Sequence, residues 1–318
     1  MIKKIIELLR ENKRFLITAH MNLEGDALGS ELATYLLLRK MNKQATIYNH
    51  DSTPQAYSFL PHVKVIKNEL DSSYAFDVAL VLDCSDSFRT GKVKDYLSRA
   101  KIIVNIDHHI SNTFFGDVNW VDPKASSASE MIYRLCRELK VMNRKIALCI
   151  YTGIFTDTGS FTYSNVSSRV HRIIAELFRY KILPDKIYDS LHSFCQLNDI
   201  KFIGKILSSI KADPSGKITW SLIRYWPKKD YDLTEVIFSI MRFLRDAEVF
   251  LLFKKLGKNK VRVNFRSRSK VDVNKVAKFF GGGGHKRASG TTMSGNLSSV
   301  EKKVIAFIRR YTNDKKRK

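Results

Sequence analysis

The chain of 318 residues has little of several things. It holds only four cysteines, Cys84, Cys136, Cys149 and Cys195, and no two of them form a Cys-x-x-Cys pair. That excludes a zinc ribbon and a disulfide framework, and it fits a reducing, cytoplasmic setting. No apolar run approaches the roughly 20 residues that cross a bilayer, so no membrane is expected as a partner. The first fourteen residues alternate basic and aliphatic pairs at helical spacing. They lack the apolar core and small-residue cleavage site of an export leader. Low-complexity tracts and internal repeats are also missing. Acids are scarce, 31 Asp and Glu against 55 Lys and Arg, for a net charge of +24. The shortage is local. Residues 1–200 carry 26 basic residues against 22 acidic ones, a balance of +4, and residues 201–318 carry 29 against 9, a balance of +20. A lysine-rich genome would load both parts alike. The asymmetry points to a second part that handles phosphates or nucleic acid.

What is present is the length for two domains and a regular alternation of strand and helix. Over the first 180 residues, strands are predicted at 15–20, 45–49, 63–66, 76–82 and 102–106. Helices are predicted at 2–12, 26–42, 91–99, 127–140, 143–151 and 167–180. Strands rich in β-branched residues between helices imply a parallel sheet covered on both faces. Residues 185–210 read as a helical connector with Ile187, Leu191 and Phe194 on one face. From 217 the pattern changes: strands at 218–223, 249–253 and 261–265 accompany helices at 233–244, 272–280 and 298–311. The expected layout is a first domain at 1–182, a connector at 183–214, and a smaller α/β domain at 215–318 ending in a basic, solvated tail.

The scarce acids are not scattered evenly. His20, Glu24 and Asp26 follow one predicted strand, Asp83 follows another, and Asp107, His108 and His109 follow a third. Parallel strands share one carboxyl edge, so these clusters are expected to converge. Carboxylates and imidazoles together suit one or two hard divalent ions. Taken singly, most have plainer readings: Glu24 and Asp26 could cap the helix after them, and Asp83 could simply start a loop. Two adjacent histidines beside an acid have no packing reason to follow a buried strand. Asp157 sits in Gly153-Ile-Phe-Thr-Asp157-Thr-Gly159-Ser, where small residues would let backbone approach a ligand.

In the basic part, Gly281 to Gly284 run into His285, Lys286 and Arg287. Four glycines in a row are unfavourable for stability and can present N–H groups to an anion. Arg266-Ser267-Arg268 ends a strand, and an arginine fork matches a phosphate.

These motifs together resemble the DHH phosphoesterase superfamily, through Asp107-His108-His109, and its DHHA1 subfamily, through the glycine run before His285. The resemblance covers essentially the whole chain. It implies a Rossmann-like parallel-sheet DHH domain and a smaller α/β DHHA1 domain, with two Mn²⁺ ions, Mg²⁺ being the alternative. His20, Glu24 and Asp83 would hold one ion. Asp26, Asp83, His108 and Asp157 would hold the other, with Asp83 bridging. His109 would be a catalytic phosphate contact or proton donor, and Asp107 would orient a ligand. Asn112, Arg266, Arg268, Gly282, Gly283, Gly284, His285 and Arg287 would bind substrate. One position departs from the family: Leu23-Glu24 stands where the motif has Pro-Asp, moving the carboxylate by about a bond length. The implied activity is hydrolysis of short oligoribonucleotides to mononucleotides, or of pAp to AMP. A cyclic-di-AMP or pApA phosphodiesterase is the alternative. A RecJ-like exonuclease is disfavoured by the lack of an added oligonucleotide-binding barrel, a non-catalytic nucleic-acid-binding module by the metal-type residues, and a family II pyrophosphatase by the glycine run. Partners are short RNA or nucleotide substrates, and a homodimer is compatible with the resemblance.

Overall fold

A computed structural model describes residues 1–69, 75–228, 231–268, 270–284 and 286–314. The chain forms two compact units, Met1–Phe194 and Cys195–Lys318. The first runs α1 (Ile2–Glu11), β1 (Arg14–Thr18), α2 (Gly25–Lys40), β2 (Gln44–Tyr48), β3 (Ile66–Lys67), β4 (Phe76–Leu82), α3 (Lys94–Leu97), β5 (Ala100–Asp107), β6 (Val118–Val121), α4 (Ala128–Glu138), α5 (Arg144–Asp157), α6 (Ser168–Phe178) and α7 (Pro184–His192). Its sheet has the order β3-β2-β1-β4-β5-β6, and every pairing is parallel.

All seven residues of β4, Phe-Asp-Val-Ala-Leu-Val-Leu, are buried, as a central parallel strand with both faces covered requires. Ile17, Val78, Leu80, Val104 and Ile106 face one core, shared with Leu28 and Leu32 of α2 and Ile150 and Ile154 of α5. Leu16, Ala79 and Val81 alternate to the other face, against Val93 and Leu97. The chain leaves β1 towards β2 on one side and comes back through β4 on the other. This makes the carboxyl ends of β1 and β4 the switch point of the sheet, the place where open α/β sheets form crevices.

Several local expectations change. Residues 63–65 are a 3₁₀ turn, leaving only Ile66 and Lys67 as strand. β6 was not expected: four residues containing Asn119 and Trp120 give too short an apolar run to stand out. Helix α5 runs past the expected end at 151 to Asp157, carrying Gly153 in its interior. The stretch 185–210 is two helices, α7 and α8 (Leu197–Ser208).

The second unit continues from α8 with β7 (Lys211–Ala212), β8 (Ile218–Ile223), α9 (Thr234–Met241), β9 (Val249–Gly257), β10 (Lys260–Ser267), α10 (Val273–Phe279), β11 (Gly283–Gly284), β12 (Ala288–Ser294) and α11 (Leu297–Asp314). Its sheet has the order β11-β12-β10-β9-β8-β7, antiparallel except where β8 pairs with β9. Val276 of α10 and Val304 and Ile308 of α11 cover Trp220, Leu251, Val263 and Phe265. Among the described residues, no helix is long and apolar enough to cross a membrane.

Candidate metal centre

The residues singled out in the first unit meet at the switch point. His20 Nε2 lies 3.3 Å from Asp83 Oδ2 and 3.7 Å from Glu24 Oε1. His108 Nε2 lies 3.4 Å from Asp83 Oδ1, 3.6 Å from Asp157 Oδ2 and 3.9 Å from Asp26 Oδ2. His109 Nδ1 lies 3.7 Å from Asp83 Oδ1. Three sets place their donor atoms within 4.8 Å of one another: His20, Glu24 and Asp83; Asp26, His108 and Asp157; and Asp83, His108 and His109. The two oxygens of Asp83 face different imidazoles, Oδ2 towards His20 and Oδ1 towards His108.

Hydrogen bonds hold these groups in place, one of them made to the same Asp26 Oδ2 that faces His108. His20 Nδ1 donates to the Met21 carbonyl at 2.7 Å, which turns Nε2 to Asp83. Glu24 precedes α2 but makes no side-chain cap, and its carboxylate stands by His20 instead. Asp26 accepts N–H bonds from Ala128 at 2.6 Å and Ser129 at 2.8 Å, so the start of α4 fixes it. Asp83 has φ of +51°, a left-handed conformation that places its carboxylate directly beyond β4. Asp157 sits at the very end of α5, delivered by the helix and not by a glycine-lined loop.

Gly153 serves packing. A methyl group there would stand 1.9 Å from Ser129 Oγ and 2.9 Å from Asp26 Oδ1, and one at Gly29 would stand 2.5 Å from the Cys149 carbonyl. The glycines let α2, α4 and α5 close together behind the site.

Asp107 is fully buried and accepts from His109 Nδ1 at 2.7 Å and from Asn112 Nδ2 at 2.6 Å. Asn112 also donates to Asn105 Oδ1 at 2.8 Å and accepts from the Phe114 N–H at 2.7 Å. Both ends of its amide are thus committed. Asn112, expected as a substrate contact, thus also braces Asp107 and the loop after β5.

The charges are crowded. Burial alone would lower the His20 and His108 imidazoles, but the Asp83 carboxylate overrides it, holding His20 at about 9 and His108 at about 10. Burial and then neighbouring carboxylates raise Asp26 and Asp157. Asp83 is pulled well below the usual carboxylate range: burial opposes this, and the two histidines outweigh it.

A divalent cation fits this donor set. Separations of 3.3–3.9 Å are long for hydrogen bonds and close for groups that share an ion. The buried Asp83 Oδ1 has no hydrogen-bond partner. Mixed carboxylate and imidazole donors suit a hard or borderline ion.

Arg89 was missed at the sequence level. It lies in the 3₁₀ stretch Ser87–Val93, and its charge, after those of His20 and His109, partly offsets the rise that desolvation and the Asp83 carboxylate impose on the Glu24 carboxyl. In sequence it reads as an ordinary solvated arginine six residues past Asp83.

In the second unit, Arg266 forks onto Glu235 and donates to the Phe265 carbonyl at 2.9 Å. Arg268 donates to the carbonyls of Arg242, Leu244 and Arg245 at 2.6–2.8 Å. Its guanidinium, expected as a substrate contact, closes the turn after α9. Gly283 and Gly284 are paired to Gly290 and Ser289 as strand β11. A Cβ at Gly282 would meet the Gly290 carbonyl at 2.3 Å, and one at Gly284 the Ala288 carbonyl at 2.6 Å. Close approach to β12 therefore demands glycine at these two positions, while Gly283 has open space. Arg287 is exposed. His285 and the basic tail at 315–318 lie outside the described residues.

Residues 14–154 match the model of the DHH family, N-terminal domain, and residues 225–314 match the DHHA1 domain. The chain is 30% identical over 285 residues to the bifunctional oligoribonuclease and PAP phosphatase NrnA of Bacillus subtilis, covering 86% of this chain and 87% of that one. It is 28% identical over 295 residues to the protein of the same name from Thermus thermophilus, covering 92% and 88%. A solved exopolyphosphatase-related protein from Bacteroides fragilis superposes with a TM-score of 0.88 at 25% identity, over 98% of this chain and 96% of that one. The chain belongs to the DHH family, with a DHHA1 domain as its second part.

Proposed function

We propose that the protein is a phosphoesterase that uses two divalent cations, Mn²⁺ before Mg²⁺, to hydrolyse short oligoribonucleotides to mononucleotides and pAp to AMP. The observation that carries this reading is the Asp83 carboxylate, whose two oxygens each face a different histidine within 3.4 Å. Similarity over nearly the full length of both chains to bifunctional oligoribonuclease and PAP phosphatases supports the substrate class.

In this reading His20, Glu24 and Asp83 hold one cation, and Asp26, Asp83, His108 and Asp157 hold the other. Bound there, the cations supply a nucleophilic water at neutral pH and neutralise charge on the phosphoryl oxygens. The protein's own residues do the rest. Asp107 holds His109 through Nδ1, which leaves Nε2 to touch a phosphoryl oxygen or pass a proton to the leaving oxygen. Arg89 adds a cation beside Glu24. Arg266, Gly283 and Arg287 of the second unit take substrate phosphates, Arg266 by exchanging Glu235 for the ligand. Four scattered cysteines with no Cys-x-x-Cys pair suit a cytoplasmic enzyme.

The test offers pAp, pApA, a five-residue RNA and cyclic-di-AMP in parallel, each with Mn²⁺ and with chelator. The reading expects chelator-sensitive release of mononucleotide from the RNA and of phosphate from pAp, abolished by His108→Ala. Preference for cyclic-di-AMP or pApA would move the assignment to the dinucleotide phosphodiesterases. Tight RNA binding without turnover would make the protein a binding module.

A further inference from the structure

One side of the second unit carries a row of aromatic rings that the catalytic reading does not use. Phe279, the last residue of α10, is 64% exposed, and its ring stacks on Phe307 of α11 with centroids 4.1 Å apart and planes at 21°. Phe307 is in turn nearly parallel to Tyr311 one helical turn on, 6.2 Å away at 12°. Phe280 meets both phenylalanines edge-on, at 5.1 and 5.2 Å. Its carbonyl accepts from Thr291 Oγ1 at 2.8 Å. Phe280, Phe307 and Tyr311 pack against the core of the unit, so the row is held rigidly. Phe279 is not among the residues that pack there, and so large an exposed ring gains little for folding.

The surroundings are cationic. Lys275 and Lys278 are exposed on α10, and Lys303 and Arg310 are exposed one turn before and after Phe307 on α11. None of the four has an ion pair among the described residues. The glycine run starts at the same place: Gly281 donates to the Lys278 carbonyl at 3.0 Å and Gly282 to that of Ala277 at 2.8 Å.

We infer that Phe279 is a stacking platform for a base of a single-stranded oligoribonucleotide, with these lysines and Arg310 attracting its phosphates. An exposed, rigid ring face accepts any base, and the cations follow the backbone without reading sequence. A second copy of the chain is the poorer occupant, because it would set four like charges against four. The inference rests on the reading that short RNA is the substrate, and it adds that part of the affinity comes from bases.

Fluorescence anisotropy with the full-length protein in EDTA separates the possibilities, since nothing is cleaved. The probes are a labelled five-residue RNA and a base-free oligomer of equal charge. Phe279→Ala should weaken RNA binding about tenfold, the loss of one stacked base, and leave the base-free oligomer unchanged; Phe279→Trp should restore the RNA affinity. Unchanged RNA affinity, or equal loss for both probes, overturns the platform. So does a change from dimer to monomer in Phe279→Ala, by sedimentation, with RNA affinity intact. A wild-type protein that binds RNA through Phe279 but turns over no nucleotide would leave the platform standing and remove the proposed activity.

Discussion

Replacing Gly153 by alanine asks whether helix packing sets the geometry of the metal centre. In a free helix the change would stabilise by about 1 kcal/mol. Here the new methyl would lie 1.9 Å from Ser129 Oγ and 2.7 Å from Ser129 Cβ. The hydroxyl can rotate away, but the Cβ moves only with α4. Overpacking of this kind costs ~1–3 kcal/mol. Shifting α4 also strains the Ala128 and Ser129 N–H bonds to Asp26, each worth about 1.5–3 kcal/mol as hydrogen bonds to a charge. The unfavourable terms win, and a net loss of about 2–4 kcal/mol is expected. Gly204 in α8 is the control: nothing lies within 4 Å of an added methyl, so Gly204→Ala should gain about 0.5–1 kcal/mol. Hydrogen exchange at peptide resolution reads each unit separately, and a Mn²⁺ titration reads the site. Gly153→Ala should lose protection over α2, α4 and α5 and bind Mn²⁺ more weakly. Wild-type protection with wild-type affinity would refute the packing argument.

Four further outcomes are expected. Glu24→Asp should keep the metal content and Glu24→Ala should reduce it by elemental analysis; a silent Glu24→Ala takes this carboxylate out of the ligand set. Burial pushes Glu31 up to about 8, partly offset by the Asn49 bond, so folding takes up a proton between the unfolded value and about 8. Stability should then fall as pH rises through that window, by at most about 1.4 kcal/mol per unit, and urea titrations of Glu31→Gln should lose that slope. Glu235→Gln should lower KM with kcat unchanged, because an exposed ion pair worth about 0–1 kcal/mol no longer competes for Arg266. Arg268→Ala should destabilise the second unit by about 1–3 kcal/mol and leave KM alone, whereas a raised KM would return Arg268 to the substrate site.

The architecture and the convergence of the acids were legible because their signals are local. The run 76–82 can only be a strand buried on both faces, and Asp83 must then stand at its carboxyl end. The same held for His20 and for Asp107 to His109. What stayed hidden depends on partners remote in sequence. Gly153 looks like a loop glycine until Ser129 and Asp26 are seen against it. Arg268 and Asn112 have the right chemistry to bind phosphate or sugar. No pattern reveals that three carbonyls of the turn after α9 take one, and that Asp107, Asn105 and Phe114 take the other. The glycine run was read as a ligand cradle, yet Gly282 and Gly284 are also dictated by the approach of β12.

The backbone gives positions 24 and 83 unequal freedom to change. Glu24 occupies an extended conformation, φ −129°, open to any side chain. A longer carboxylate can enter there without distorting the main chain, and this chain has one. Asp83, at φ +51°, tolerates little beyond aspartate, asparagine or glycine. An alanine there would confound a lost carboxylate with a strained peptide, so asparagine is the cleaner probe of its chemistry. Variation among relatives of this enzyme is thus physically permitted at the rim of the centre and refused at its hub.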